Sequence, residues 1–202
     1  CELAHQAGLY TVYVSNSFVT DEALELIAGQ IDVLCSDIKS MSDDFYAEIC
    51  RPARVEQILA SVKKAQQLGI HVETRTNIIP GKNDDPDEHY KIACWIRDNL
   101  GADSPWHITR FFPSYKLSDV PATPEYMLFD AQAEAKRAGL KNVYVYNDKG
   151  CDCATENQPV EVYLNSSAEE LHQIKHCAAS CCGEEGVLLK KFEEEKPFSN
   201  HS

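Results

Sequence analysis

Apolar and polar positions along the chain alternate between two kinds of pattern. Short runs rich in β-branched and aromatic residues occupy 11–16, 31–39, 106–112 and 142–147, and each reads as a strand. A fifth run, His71-Val72-Glu73-Thr74-Arg75-Thr76-Asn77-Ile78-Ile79, is stopped by Pro80-Gly81 and runs into a polar loop. Between the runs, apolar residues recur at helical spacing. Val55, Ile58, Leu59 and Val62 form one stripe, Ile92, Trp95 and Ile96 a second, and Leu128, Ala131, Ala135 and Ala138 a third. Thr20 with Asp21 and Glu22, Asp85-Pro86 and Thr123-Pro124 read as helix starts. Gly29, Gly69, Gly101 and Gly139 read as the matching stops.

Strands that alternate with helices predict a parallel sheet covered by helices. The run from His71 therefore stands out. Alternation puts Glu73, Arg75 and Asn77 on one side and Val72, Thr74, Thr76 and Ile78 on the other. A parallel strand is normally apolar on both faces. Three polar groups on one face, leading to the strand's carboxyl end, mark the place where α/β folds take their ligands. Ala7-Gly8-Leu9-x-x-Val12-Tyr13-Val14-x-Asn16 returns as Ala138-Gly139-Leu140-x-x-Val143-Tyr144-Val145-x-Asn147, a helix stop followed by a strand each time. Such repetition is what successive βα units of a barrel would show. Five strands do not close an eight-stranded barrel, so either further units lie upstream or the sheet is open.

Composition narrows the partners. The chain has 202 residues and a formal charge of −13, which argues against a nucleic-acid backbone or an anionic membrane. It begins at Cys1 without a signal peptide or a transmembrane run, and reads as a piece of a longer cytoplasmic protein. Its nine cysteines suggest metal, cluster or buried thiols before disulfides. Residues 151–202 hold five of them and few apolar clusters, so we expect residues 1–150 to form the barrel part. The remainder would be an irregular Cys-rich tail, with a short helix from Ser167 and disorder from about Glu193.

Several constellations carry candidate chemistry. Asp37 and Lys39 end the second strand on one face, where they would grip a zwitterion or a ribose, or leave Lys39 as an imine-forming nucleophile. An ordinary surface ion pair reads equally well from the residues alone. Ser15 and Asn16 end the first strand, and either meet a ligand or satisfy their own turn. Arg110, among aromatics, suggests a cation–π contact or a carboxylate clamp. His107 by itself reads as a satisfied core residue. In the tail, Cys151, Cys153, Cys177 and either Cys181 or Cys182 would supply four thiolates to zinc or to a second iron–sulfur cluster, against unligated thiols as the alternative.

Certain stretches carry a resemblance. They are Gly8 to Asn16, Asp37-Ile38-Lys39, Arg75 six residues before Gly81, Ile78-Ile79-Pro80-Gly81-Lys82-Asn83-Asp84, Trp106 to Pro113, and Tyr115-Lys116-Leu117-Ser118-Asp119 with Pro121-Ala122-Thr123-Pro124. Together they resemble the later part of a radical S-adenosylmethionine (SAM) enzyme of the pyruvate formate-lyase activase-like group, most of all the AmmeMemoRadiSam system radical SAM enzymes. The resemblance implies an α/β fold, a partial (β/α) TIM-like barrel without its N-terminal strands. It also implies SAM and a [4Fe–4S] cluster as cofactors, an electron donor as partner, and a substrate that could be a small molecule or a protein. Ser15 and Asn16 would line the SAM site, Asp37 and Lys39 would touch its methionine or ribose part, and Arg75 would hold its carboxylate. No C-x3-C-x2-C cluster motif occurs in the chain, and the fragment alone is expected to be inactive. Ser17 stands where that family usually has Gly. The Cys177 to Gly183 run replaces a C-x2-C-G pair. A Schiff-base lyase acting through Lys39 and a non-catalytic barrel used as a binding module remain the alternatives.

Overall fold

The computed structural model describes residues 1–51, 53–147 and 150–153, with 147 and 150–153 described by backbone alone. Contacts divide the chain into two units, Cys1–Val145 and Tyr146–Ser202. The tail helix expected from Ser167, and Cys177, Cys181 and Cys182, lie outside the described residues. Of Cys151 and Cys153 only the backbone is described, within strand β6 (Gly150–Cys153).

In chain order the first unit runs α1 (Glu2–Gln6), β1 (Val12–Ser15), α2 (Asp21–Ile27), β2 (Val33–Asp37), α3 (Asp43–Phe45), a π-turn (Tyr46–Cys50), α4 (Val55–Gln67), β3 (His71–Ile78), α5 (Pro86–Leu100), β4 (Trp106–Arg110), a 3-10 turn (Tyr115–Leu117) and α6 (Glu125–Ala138). β5 (Val143–Asn147) begins within it. The strands β1 to β5 neighbour one another in that order in a parallel sheet. Sequential βα units produce this order because each right-handed crossover returns the chain beside the strand just left.

Burial along β3 alternates perfectly, with Val72, Thr74, Thr76 and Ile78 buried and His71, Glu73, Arg75 and Asn77 half-buried. The buried side lies under the helices, where Ile58 and Val62 of α4, Ile92 and Ile96 of α5 and Leu128, Ala131 and Ala135 of α6 are almost wholly excluded from water. Trp106 and Ile108 of β4 continue the same apolar layer. The other side carries His71, Glu73, Arg75 and Asn77 of β3 and Asp37 of β2. Among the described residues β1 pairs only with β2, so the sheet is open there and leaves Val12, Tyr13 and Val14 exposed.

The helix starts follow their caps, with one exception. Thr20 accepts from Ala23 N, and Asp85 accepts from Asp87 N ahead of Pro86. Thr123 does not cap α6. It is buried, and its hydroxyl accepts from Phe111 N at 2.7 Å and donates to Ile78 O at 2.6 Å. Two backbone groups leaving the sheet outcompeted a solvent-exposed helix end for that hydroxyl, because a buried unpaired group is the costlier loss. Gly29 follows Ala28, the residue that caps the end of α2. Gly139 takes the left-handed conformation at the end of α6, where a Cβ would be strained.

Candidate functional site at the carboxyl ends of the strands

The β2–β3 register sets Asp37 beside Arg75 on the polar face. Arg75 Nε donates to Asp37 Oδ1 and Lys39 Nζ donates to Oδ2, both at 2.7 Å. Burial works to raise the Asp37 pKa, but the bonds and charges of Arg75 and Lys39 outweigh it and hold the carboxyl below its ordinary value. Two cations on one carboxylate leave this group of three with an excess positive charge and an acceptor between two donors. Such an array suits a zwitterion, whose carboxylate seeks the cations and whose ammonium seeks the carboxylate.

One layer deeper, Glu73 sits between two imidazoles. His107 Nε2 lies 2.8 Å from one carboxylate oxygen and His71 Nε2 3.6 Å from the other. Burial pushes the Glu73 pKa up, yet the His107 bond and the nearby His71 imidazole outweigh it and lower it to about 2. His107 stacks on Tyr144 of β5, ring centroids 5.1 Å apart. Burial, reinforced by the Glu73 charge, raises the neighbouring Cys35 thiol to about 11, so that sulfur is a neutral thiol and a poor nucleophile. Asn77 completes the face, donating to Thr109 Oγ1 at 3.3 Å and to Arg110 O at 2.6 Å.

At the end of β1 the side chains serve the turn. Ser15 Oγ accepts from Ser17 N, and Asn16 Oδ1 accepts from Phe18 N. Ser17 lies at φ 56°, a region L side chains rarely adopt, and its buried hydroxyl donates to Ser36 Oγ at 2.7 Å. A glycine-like turn is thus built here with serine. Asn16 also lines a cavity of about 350 Å³ shared with Lys39, Tyr46, Asn77, Ile79 and Phe111. Arg110 is placed 5.3 Å from the Phe112 ring, a cation–π contact, while its Nε donates to Thr123 O.

Among the described residues the donor set does not suit an iron–sulfur cluster. Cys1, Cys35, Cys50 and Cys94 are free thiols, and among the described residues no group of three or more His, Cys, Asp or Glu could hold a metal. Organic zwitterion recognition is what the mouth offers.

Residues 1–93 match the family described as the radical SAM superfamily. That match covers a little under half of the chain. The matched span contains β1, β2 and β3, and with them Ser15, Asn16, Asp37, Lys39 and Arg75. The uncharacterized protein MJ0808 of Methanocaldococcus jannaschii is 38% identical over 148 residues, which is 73% of this chain and 43% of that protein. The chain thus spans less than half the length of the curated relative it matches. Among solved structures, a domain of pyruvate-formate lyase-activating enzyme from Bacteroides vulgatus aligns with a TM-score of 0.61 and 15% identity, over 71% of this chain and 84% of that one. A radical SAM methyltransferase from Sphaerobacter thermophilus aligns with a TM-score of 0.56 and 12% identity, over 69% and 41%. At these identities the two structures attest to a shared fold alone.

Of the residues singled out from the sequence, the fold brings Asp37, Lys39 and Arg75 into one hydrogen-bonded group and commits the side-chain oxygens of Ser15 and Asn16 to their own turn. Sequence reasoning missed the pairing of Glu73 with His107, and missed Asn83. For the first, the signal was their equal phase on neighbouring strands. For the second, it was an asparagine two residues past a turn glycine.

Proposed function

We propose that this chain is the SAM-binding part of a radical SAM enzyme, with Arg75, Asp37 and Lys39 receiving the aminocarboxypropyl end of SAM. The carrying observation is the Arg75–Asp37–Lys39 group at the strand mouth, inside the span that matches the superfamily. Arg75 and Lys39 would offer charge-assisted donors to the SAM carboxylate, and Asp37 an acceptor to its ammonium. The adjoining cavity, lined by Ile79 and Phe111 with Asn16 and Asn77 at its polar side, would take a flat nucleoside. When bound and reduced at a [4Fe–4S] cluster by an electron donor, SAM would supply a 5′-deoxyadenosyl radical for hydrogen-atom abstraction. This chain's own part is to bind and orient SAM and to exclude water from it.

A Schiff-base role for Lys39 has less support. Its Nζ is engaged by the Asp37 carboxylate at 2.7 Å, and attack on a carbonyl would have to break that contact. The test is calorimetric titration of SAM into the full-length protein under anaerobic conditions. Saturable one-to-one binding that is lost in Asp37→Ala is expected, and absence of binding by the wild type would sink the proposal. These 202 residues by themselves, supplied with iron, sulfide, reductant and SAM, should release no 5′-deoxyadenosine, because the chain holds no C-x3-C-x2-C motif.

A further inference from the structure

The β2–β3 ladder ends at the pair Asp37 and Arg75, and the last backbone bond between the two strands is Ile38 N to Arg75 O at 3.0 Å. Lys39 lies one residue beyond it. Its backbone N–H donates to the Tyr46 hydroxyl at 3.1 Å, and its carbonyl accepts from Asn83 Nδ2 at 2.7 Å. Asn83 is almost wholly buried, and its carboxamide is fully used. The second Nδ2 hydrogen goes to Asn77 O at 3.0 Å, while Oδ1 accepts from Ile79 N at 2.6 Å. An amide carries two donor hydrogens on nitrogen and an acceptor oxygen, and here each meets a backbone group. Its own carbonyl is bonded by His89 Nε2 at 2.8 Å, which anchors the residue to the first turn of α5.

We infer that Asn83 is the positioning residue of the mouth: its buried side chain replaces the ladder where the ladder stops, and sets the Lys39 backbone against that of Asn77. Asp37 is held by its strand, Arg75 by its strand, and Lys39 by Asn83 and Tyr46. A side chain that reaches Asp37 from outside the sheet keeps its geometry only if its backbone is fixed by something other than the sheet. Displacements of about 1 Å at such a group are enough to degrade recognition severely. The alternative is that Asn83 merely stabilises the turn after β3, which would cost stability without touching Lys39.

The ligand arm of the test rests on the SAM reading, and a second arm does not. In the full-length protein with 13C-labelled lysine, the Lys39 Cε resonance is assigned by its loss in Lys39→Arg. That resonance should move in Asn83→Ala and stay in place in Ser61→Ala, a control that removes a buried hydroxyl donating to Val19 O and Gln57 O. In the ligand arm, Asn83→Ala should weaken SAM binding tenfold or more in the wild-type background and less than twofold in Lys39→Met, since coupled residues are non-additive. Equal losses in both backgrounds, or an unmoved Lys39 resonance, would overturn the assignment. If the wild type binds no SAM, the SAM reading fails and the resonance alone decides Asn83. Should Asn83→Ala not fold, Asn83→Gln, which shifts the amide by one methylene, takes its place with the same expectations.

Discussion

Arg75 and Asp37 stand 38 residues apart in the chain and meet across the β2–β3 ladder, guanidinium Nε to carboxylate Oδ1 at 2.7 Å. Lys39 reaches the other oxygen of the same carboxylate. None of the three is deeply buried, yet each is screened enough to interact strongly, with side-chain exposures of 35%, 13% and 25% for Arg75, Asp37 and Lys39. An arrangement of this kind is a weak source of stability and a good source of recognition.

Arg75→Ala should therefore weaken SAM binding more than it weakens the fold. A charge-assisted bond contributes roughly 1.5–3 kcal/mol, so affinity should fall about tenfold or more. Lys136→Ala, on the exposed side of α6, should leave it unchanged. Equal losses in the two variants, measured by titration, would deny Arg75 any special role.

Glu73→Gln tests the deeper layer through pH. Because the folded pKa of Glu73 lies near 2, below its ordinary 4.5, its charge stabilises the fold above about pH 4.5, and that contribution is lost as pH falls towards 2. At pH 7 the variant should be less stable by roughly 1.5–3 kcal/mol, the worth of a hydrogen bond to a charged group. The gap between wild type and variant should then close between pH 4.5 and 2. Asp32 and Asp37, also lowered, titrate in both proteins and cancel from the difference. Urea unfolding across that range, with a gap that stays constant, would refute the assignment.

Thr123→Val should destabilise far more than Thr123→Ser. Valine keeps the volume but leaves Phe111 N and Ile78 O without their hydroxyl partner in a buried site. An unsatisfied buried group costs about 1–3 kcal/mol. Serine restores the hydroxyl and loses only a methyl. Equal midpoints for the two variants in denaturant would show that the hydroxyl does nothing for the fold.

Ser17 offers a backbone test at the mouth of β1. Both Ser17→Ala and Ser17→Gly lose the hydroxyl bond to Ser36, but only glycine adopts φ 56° without strain. The glycine variant should exceed the alanine variant in stability by about 1–2 kcal/mol. Thermal unfolding that ranks alanine above glycine would mean that the turn relaxes out of the left-handed region.

What the chain settled by itself is what depends on neighbours in sequence. The period of two along His71 to Ile78 determined which side of β3 is buried. The period near four in Val55 to Val62 and Leu128 to Ala138 determined the helices, and the strand bounds followed to within two residues. Asp37 and Lys39 could be placed on one face because two residues separate them. The π-turn at Tyr46–Cys50 escaped notice because no simple period encodes it. Tertiary structure alone decided which groups face which across strands. Asp37 meets Arg75, and Glu73 meets His107, through ladder registers that depend on how far each crossover helix carries the chain. The competition for Thr123 and the bridging by Asn83 were decided in the same way. In both cases a buried backbone group without a partner costs more than an exposed cap or turn, and which groups become buried is known only once the layers have packed.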